Sequence, residues 1–372
     1  MNFARLLAMA RKEAIQLRRD KRSMVLAFVL PVLLLLFFGY AITWDVRDIP
    51  LAVLDEDRGQ RSRELIDALE GSTYFSVAEY MTSRQGIDRR LATGGVSGVL
   101  IIPPDFTQNL ASGRRAPVQL LLDGSDANTA TIALNYADAI LARYSQQALL
   151  RGQQVTLPIN VAARVWYNPT LASRHMIVPG LIAVIMSIIA AMLTSLTIAR
   201  EWERGTMEQL AATPVGRLEV VFGKLIPYLV IGIFDVAVTV LAGIIIFGVP
   251  LRGSVLLLAI MTLLFLMGAL GLGIFISAVL KSQVLATQVA LVATYLPALL
   301  LSGFLFDINA MPALLQVITL VVPARYFVTV TRGILLKGVG VEVLWVQGVS
   351  MVIFATVGLS LATLSFRKRI SA

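Results

Sequence analysis

Six predominantly apolar segments of spanning length constrain this chain more than any other feature: residues 23–42, 176–199, 224–247, 254–280, 284–306 and 344–366. An α-helix rises about 1.5 Å per residue, so about 20 mostly apolar residues cross a hydrocarbon core of roughly 30 Å. The chain is 57% hydrophobic and only 15% charged, where a water-soluble domain carries roughly 25% charged residues. The expected fold class is an α-helical membrane protein with six transmembrane helices. A soluble enzyme or a fibrous chain is excluded on these grounds.

The formal net charge of +9 raises nucleic acid as a partner, and the placement of the charges removes it. Residues 44–175 hold 13 basic and 14 acidic side chains. Elsewhere, seven basic residues fall in the first 22 positions, four in 200–224, one at Lys281 and three at Arg367, Lys368 and Arg369. Basic residues beside apolar runs report orientation, because they stay on the cytoplasmic side. Residues 1–22, the loop 200–222, Lys281 and the tail 367–372 are then cytoplasmic, and so are both termini. No nucleic acid is expected. The chain has no cysteine, which removes disulfides, thiolate metal sites and a cysteine nucleophile.

Residues 1–22 are expected to form a cytoplasmic amphipathic helix. Phe3, Leu7, Ala10, Ala14 and Leu17 share one face, and Arg11, Lys12, Arg18 and Arg19 fall on the other. Such a helix lies in the membrane interface. The apolar run 23–42 could pass for a signal peptide, but its spanning length and long basic lead favour a retained anchor.

Between the first and second spans the composition changes abruptly. Residues 45–170 alternate strand-like stretches at 50–54, 74–77, 96–102, 118–122 and 160–166 with helix-like ones at 62–69, 86–91, 105–110 and 126–150, with Asp126 as an N-cap. This predicts an extracytoplasmic mixed α/β domain, long enough to bury its own core. Its acidic runs, Asp55-Glu56-Asp57 and Asp123 to Asp126, have the donors of a divalent cation site. Each also sits between an expected strand and an expected helix, where Asp and Ser bond turns and caps. The second reading is preferred and no metal site is expected. His175, the single histidine, cannot alone form a metal site or a triad and is read as interfacial.

No phosphate-binding G-x-x-x-x-G-K-[ST] sequence occurs; Gly223-Lys224 is followed by Leu225 and opens a span. HExxH, GxSxG and a strand-linked GxGxxG are also missing. The chain is not expected to be an enzyme or to bind a cofactor. Two intramembrane features stand out. Asp235, 11 residues after Lys224, falls about 16 Å along a helix, near the bilayer midplane. It is either a pathway or proton-coupling group or a buried structural carboxyl. Ala269, Gly273 and Ser277, spaced by four, allow close helix packing.

The cytoplasmic stretch REWERGTMEQLAATPVGR crowds Glu201, Glu203, Arg204 and Glu208 beyond the second span. It is a docking-surface candidate, with Thr213 as a cap and Pro214 at the first turn of a restarting helix. Near the outer end of the fifth span, Gly303, Asp307, Asn309 and Pro312 interrupt an apolar run. Irregular backbone at membrane depth is tolerated only where protein or a water-filled cavity covers it.

Taken in order, RKEAIQLRRDKR, IPLAVLDEDRG, GVLIIPPDFTQNLASGRRAPVQLLLDGSDANTA, EWERGTMEQLAATP, FGVPLRGS, LSGFLFDINAMP and VVPARYF make a whole-chain pattern. It resembles the permease subunits of type-2 ABC exporters of bacterial inner membranes. The resemblance implies export of a hydrophobic or amphipathic substrate, driven by separate cytoplasmic ATPase subunits that bind ATP and Mg. It implies a second permease copy or close relative, and it admits a periplasmic adaptor protein. It also implies ATPase coupling through the N-terminal helix and Glu201, Glu203, Arg204, Thr206 and Glu208. Residues 302–312, with Gly303, Asp307 and Pro312, resemble the re-entrant element that closes the outer side of the pathway. Two rivals remain at this point: a membrane receptor or scaffold, and a proton-coupled secondary transporter using Asp235.

Overall fold

A computed structural model describes residues 2–42, 48–125, 127–149, 167–168 and 172–366. The expected strand 160–166, the N-cap Asp126 and the tail 367–372 lie outside the described residues. The chain divides into two compact units, one made of residues 1–43 and 164–372 and the other of residues 44–163.

Helix α1 (Phe3–Arg19) begins at Asn2, whose side chain accepts the Ala4 N–H at 3.0 Å, and ends on Arg18 and Arg19, which suit the negative end of the helix dipole. The chain breaks at Asp20. That carboxylate accepts the Ser23 N–H at 3.3 Å and hydroxyl at 2.8 Å, which satisfies the start of α2 (Lys21–Ala41).

The second unit holds β1 (Ile49–Asp55), α3 (Gln60–Glu70), β2 (Phe75–Tyr80), α4 (Ile87–Ala92), β3 (Gly98–Ile102), α5 (Phe106–Ala111), β4 (Gln119–Leu122) and α6 (Ala127–Leu149). The strand order is β2-β1-β3-β4, with β2, β1 and β3 parallel and β4 antiparallel to β3. Alternation along β1 sends Leu51 and Val53 into a cluster with Leu65, Ile66, Phe106 and Ala137, and Ala52 and Leu54 into one with Ile87 on the opposite face. A sheet buried on both faces needs the near-continuous apolar strands seen here.

The acidic run after β1 serves this turn. Asp55 accepts the Ser62 hydroxyl at 2.7 Å and the Arg58 N–H at 2.9 Å, and Asp57 accepts the Gly59 and Thr107 N–H groups at 3.2 and 3.1 Å. Glu56 receives two bonds from Arg84 at 2.9 and 2.8 Å, which hold its carboxyl below its ordinary range.

The first unit continues with α7 (Ser173–Glu203), α8 (Met207–Ala212), α9 (Arg217–Phe247), α10 (Val255–Leu280), α11 (Gln283–Leu300), α12 (Ala313–Thr319), α13 (Pro323–Arg332), a π-helical turn at Gly333–Lys337, and α14 (Val341–Ser365). Among the described residues, α7, α9, α10, α11 and α14 are long and apolar enough to cross a membrane. A sixth is α12 taken with the α13 segment, a pair bent by 81°. The sequence places its sixth span in α2 instead, a helix of 21 residues whose apolar part includes Ala27–Ala41. Helix α7 is the core of the bundle: its apolar window is 89% buried, against 17–22% for α9, α11 and α14.

The stripe on α10 serves packing. A Cβ on Gly273 would lie 2.5 Å from the Ala191 carbonyl oxygen, so α7 and α10 touch backbone to backbone. The Thr194 hydroxyl donates to the Leu270 carbonyl at 3.0 Å, and the Ser277 hydroxyl accepts the Ala199 N–H at 2.8 Å. One expected span needs correction. The fifth helix stops at Leu300 rather than 306, because Gly303 takes a left-handed turn with φ 77° and residues 301–306 bend away.

Candidate functional site

At one end of the bundle α1, α7 and α9 meet on a buried charge cluster. Lys224, in the third turn of α9, is fully buried. Its ammonium donates to Glu13 of α1 at 2.8 Å, to the Thr197 carbonyl at 3.4 Å and to Glu201 of α7 at 3.4 Å. Glu13 also accepts the Tyr228 hydroxyl at 3.2 Å, and Glu201 accepts Lys12, which is half exposed, at 2.9 Å. Two carboxylates therefore face two ammonium groups. Buried charge is tolerated only when paired and hydrogen-bonded in this way. Nearby, Arg200 pairs with Asp20 at 2.7 Å, tying α7 to the α1–α2 break.

The same end is fixed by contacts further along α1. The Asn2 N–H donates to Glu219 at 2.5 Å and Arg5 donates to the Pro214 carbonyl at 2.7 Å. A Cβ on Gly223 would meet Met9 at 2.7 Å, so only glycine lets α1 lie this close to α9. The face α1 buries is Leu6, Met9, Ala10, Glu13 and Leu17. Phe3, Leu7 and Ala14, expected on one face with Ala10 and Leu17, are exposed. The buried face thus centres on a charge that periodicity alone discards.

The expected docking set divides in space. Glu201 points inward, and the Thr206 hydroxyl at the start of α8 donates to it. Glu203 is exposed, yet it accepts the Gln283 N–H at 2.7 Å and so caps α11. Trp202 carries Lys281 over its ring at 4.3 Å. Arg204, at the C-cap of α7, and Glu208, on the short helix α8 that buried Met207 and Leu210 anchor, are both exposed. Thr213 ends α8 rather than starting the next helix. Helix α9 begins at Gly216, with Glu219 accepting the Gly216 N–H at 2.8 Å, and Pro214 lies in the link between them.

The remaining candidates sit elsewhere. Asp235 is 3% exposed on α9, and its Oδ2 has no hydrogen-bond partner in the described structure. It lies 11 residues along α9 from Lys224. Residues 302–312 contain a bend and one short turn, Ile308–Ala310, with Asp307 accepting the Asn309 N–H at 3.0 Å and Pro312 preceding α12. The broken helix pair follows this segment, at Ala313–Thr319 and Pro323–Lys337, so the two short helices lie later than the sequence reading puts the re-entrant element. Arg332 ties the two regions together. It donates to the Gly303 carbonyl at 2.8 Å, the Phe304 carbonyl at 3.1 Å and the Met176 carbonyl of α7 at 3.3 Å.

Sequence reasoning missed Glu13, Lys224, Tyr228 and Arg332. One signal was available: Glu13 is the single acidic residue among the first 19, on a helix otherwise basic and apolar. A lone carboxylate there implies a cation across from it, and Lys224 is the cation that opens an apolar run.

A family model described as ABC-2 family transporter protein matches residues 21–364. The Escherichia coli (strain K12) protein named "Probable multidrug ABC transporter permease YbhS" is 38% identical over 372 residues, covering 100% of this chain and 98% of the relative. "Probable multidrug ABC transporter permease YbhR" from the same organism is 33% identical, covering 99% and 100%. "Inner membrane transport permease YhhJ", also from that organism, is 28% identical, covering 86% of each.

Proposed function

The chain belongs to the ABC-2 transporter family, and from that premise we propose that it is the membrane-spanning, non-catalytic subunit of an ATP-driven exporter. What carries the reading is the whole-length similarity to permeases, two of them named as multidrug transporters. The exported substrate is hydrophobic or amphipathic and drug-like or lipid-like, and leaves from the cytoplasm or the inner leaflet. The partner is a cytoplasmic ABC ATPase that binds ATP and Mg. A second permease, identical or closely related, completes the pathway, and the α/β unit lies outside the bacterial inner membrane, where it offers a periplasmic adaptor a surface. Residues 23–42 make the sixth span, and both termini are cytoplasmic.

The geometry supports a lever. An ATPase pressing on Arg204 and Glu208 moves α8, and Thr206 hands that movement to Glu201. Glu201 shares Lys224 with Glu13, so α1, α7 and α9 shift as one body. Because α7 packs against α2, α9, α10, α11 and α13, its displacement reshapes the pathway.

The test is charge reversal on the exposed pair. Arg204→Glu with Glu208→Lys is expected to lower co-purification of the ATPase about tenfold. Surface changes away from packed features stay within about 0.5 kcal/mol, so thermal stability should hold. Unchanged ATPase recovery and unchanged ATP-dependent efflux would remove α8 as the docking element.

A further inference from the structure

Passing round α1 at about 100° per residue, three strips follow one another. The first, Leu6, Met9, Glu13 and Leu17, is buried. The second, Phe3, Leu7 and Ala14, is apolar and exposed. The third holds Arg11 and Arg18, both exposed. In contrast to Lys12 and Arg200, neither arginine makes an ion pair in the described structure. They border the apolar strip rather than facing away from it as periodicity suggests.

The second strip does not end on a smooth surface. It opens into a cavity of about 580 Å³ between α1, the start of α2 and one side of α9, lined by apolar residues including Leu7, Ala14, Phe28 and Val230, with Arg11 and Arg18 as the only charged residues among the described ones. Its depth in the bilayer follows from α9. That helix has 31 residues, which rise about 46 Å, some 16 Å more than the hydrocarbon core. Counting about 20 residues back from Phe247 reaches Pro227. The groove wall runs from Ile226 to Ile231, so the groove straddles the boundary between hydrocarbon and headgroups, with its apolar wall on the lipid side.

We propose that this groove is a binding site for an anionic phospholipid of the leaflet in which α1 lies, with one acyl chain along the Ala14–Val230 wall and the phosphate between Arg11 and Arg18. The two arginines are two helical turns, about 10 Å, apart, and guanidinium groups on such long side chains converge on one phosphate in the planar, bidentate manner they favour. The occupant follows from complementarity. A peptide would leave backbone groups unsatisfied against an apolar wall, and a zwitterionic lipid would bring, with its phosphate, a quaternary ammonium that two arginines repel. The bound lipid wedges α1 against α2 and α9, so it props the helix that carries Glu13.

The test uses the full-length chain in detergent, titrated with dioleoylphosphatidylglycerol, dioleoylphosphatidylcholine or inorganic phosphate and read by native mass spectrometry. The phosphatidylglycerol is expected to bind, with the choline lipid at least tenfold weaker. Arg11→Ala with Arg18→Ala should weaken the anionic lipid about thirtyfold, the combined effect of two basic residues near a charged headgroup. Ala14→Trp, which fills the groove and keeps both charges, should also abolish retention. Equal affinity for the choline lipid, or unchanged binding in both variants, overturns the site. Displacement of the lipid by millimolar inorganic phosphate would make it a free-anion site and overturn the lipid assignment.

Discussion

Lys224→Met is expected to cost about 3–5 kcal/mol of stability, the usual effect of removing one partner from a buried ion pair. The cost is not the lost attraction. Without Lys224, Glu13 and Glu201 face one another beneath Tyr228, and only Lys12, itself 48% exposed, remains to offset two charges. The expected result is a permease that fails to accumulate, or that unfolds well below the wild type in a detergent melt. Adding Glu13→Gln to Lys224→Met removes the surplus carboxylate and leaves Glu201 with Lys12, so it should recover a substantial part of the loss. A single variant that melts with the wild type, or a double variant no better than the single, would mean the cluster does not hold α1 in place.

Arg332→Met should give the second large effect. The Arg332 guanidinium satisfies the part-buried carbonyls of Gly303 and Phe304 and the exposed one of Met176, and a carbonyl left without a donor away from water costs about 1–3 kcal/mol. Because those carbonyls belong to the bend after α11 and the start of α7, the change should loosen residues 301–306 before the bundle as a whole. Hydrogen exchange there should rise while α10 stays protected, and export should fall at least tenfold. Arg332→Lys keeps one donor and should fall between. If exchange in 301–306 is unaltered, the bend is held by packing around buried Phe304 rather than by Arg332.

How much of this was legible follows from what a pattern can encode. Four of the five expected strands agree with the described ones within a few residues, as with 50–54 against Ile49–Asp55, because a sheet buried on both faces writes continuous apolar runs between turn residues. Five of the expected spans correspond to α7, α9, α10, α11 and α14, because lipid rewards apolar length. The end of α11 does not, since Leu301, Phe304 and Phe306 stay apolar after the helix has stopped. Hydropathy reports the solvent a residue meets and not its backbone angles, and the left-handed turn at Gly303 decides the boundary. The docking set divides in space for a different reason. Glu201 and Glu203 are neighbours in sequence, but helical geometry turns one inward to Lys224 and the other toward α11. Glu13 stands out in the sequence only as a lone carboxylate on a basic helix, because its partner is 211 residues away and only the fold brings them together.

These pieces meet in one account. The exposed α8, the Glu201–Lys224–Glu13 joint and the central α7 form a continuous path from the surface into the apolar helices. Asp235 is the one feature that points another way, since a buried carboxyl with an unpartnered oxygen is what a proton-coupled carrier would need.

The measurement that separates the two is transport by the chain and its ATPase subunits in sealed proteoliposomes, with an amphipathic fluorescent drug as probe. The account predicts accumulation on addition of ATP and Mg with no proton gradient present, lost when the ATPase is inactivated and retained in Asp235→Asn. Transport driven by an imposed proton gradient without ATP, and abolished in Asp235→Asn, would contradict it.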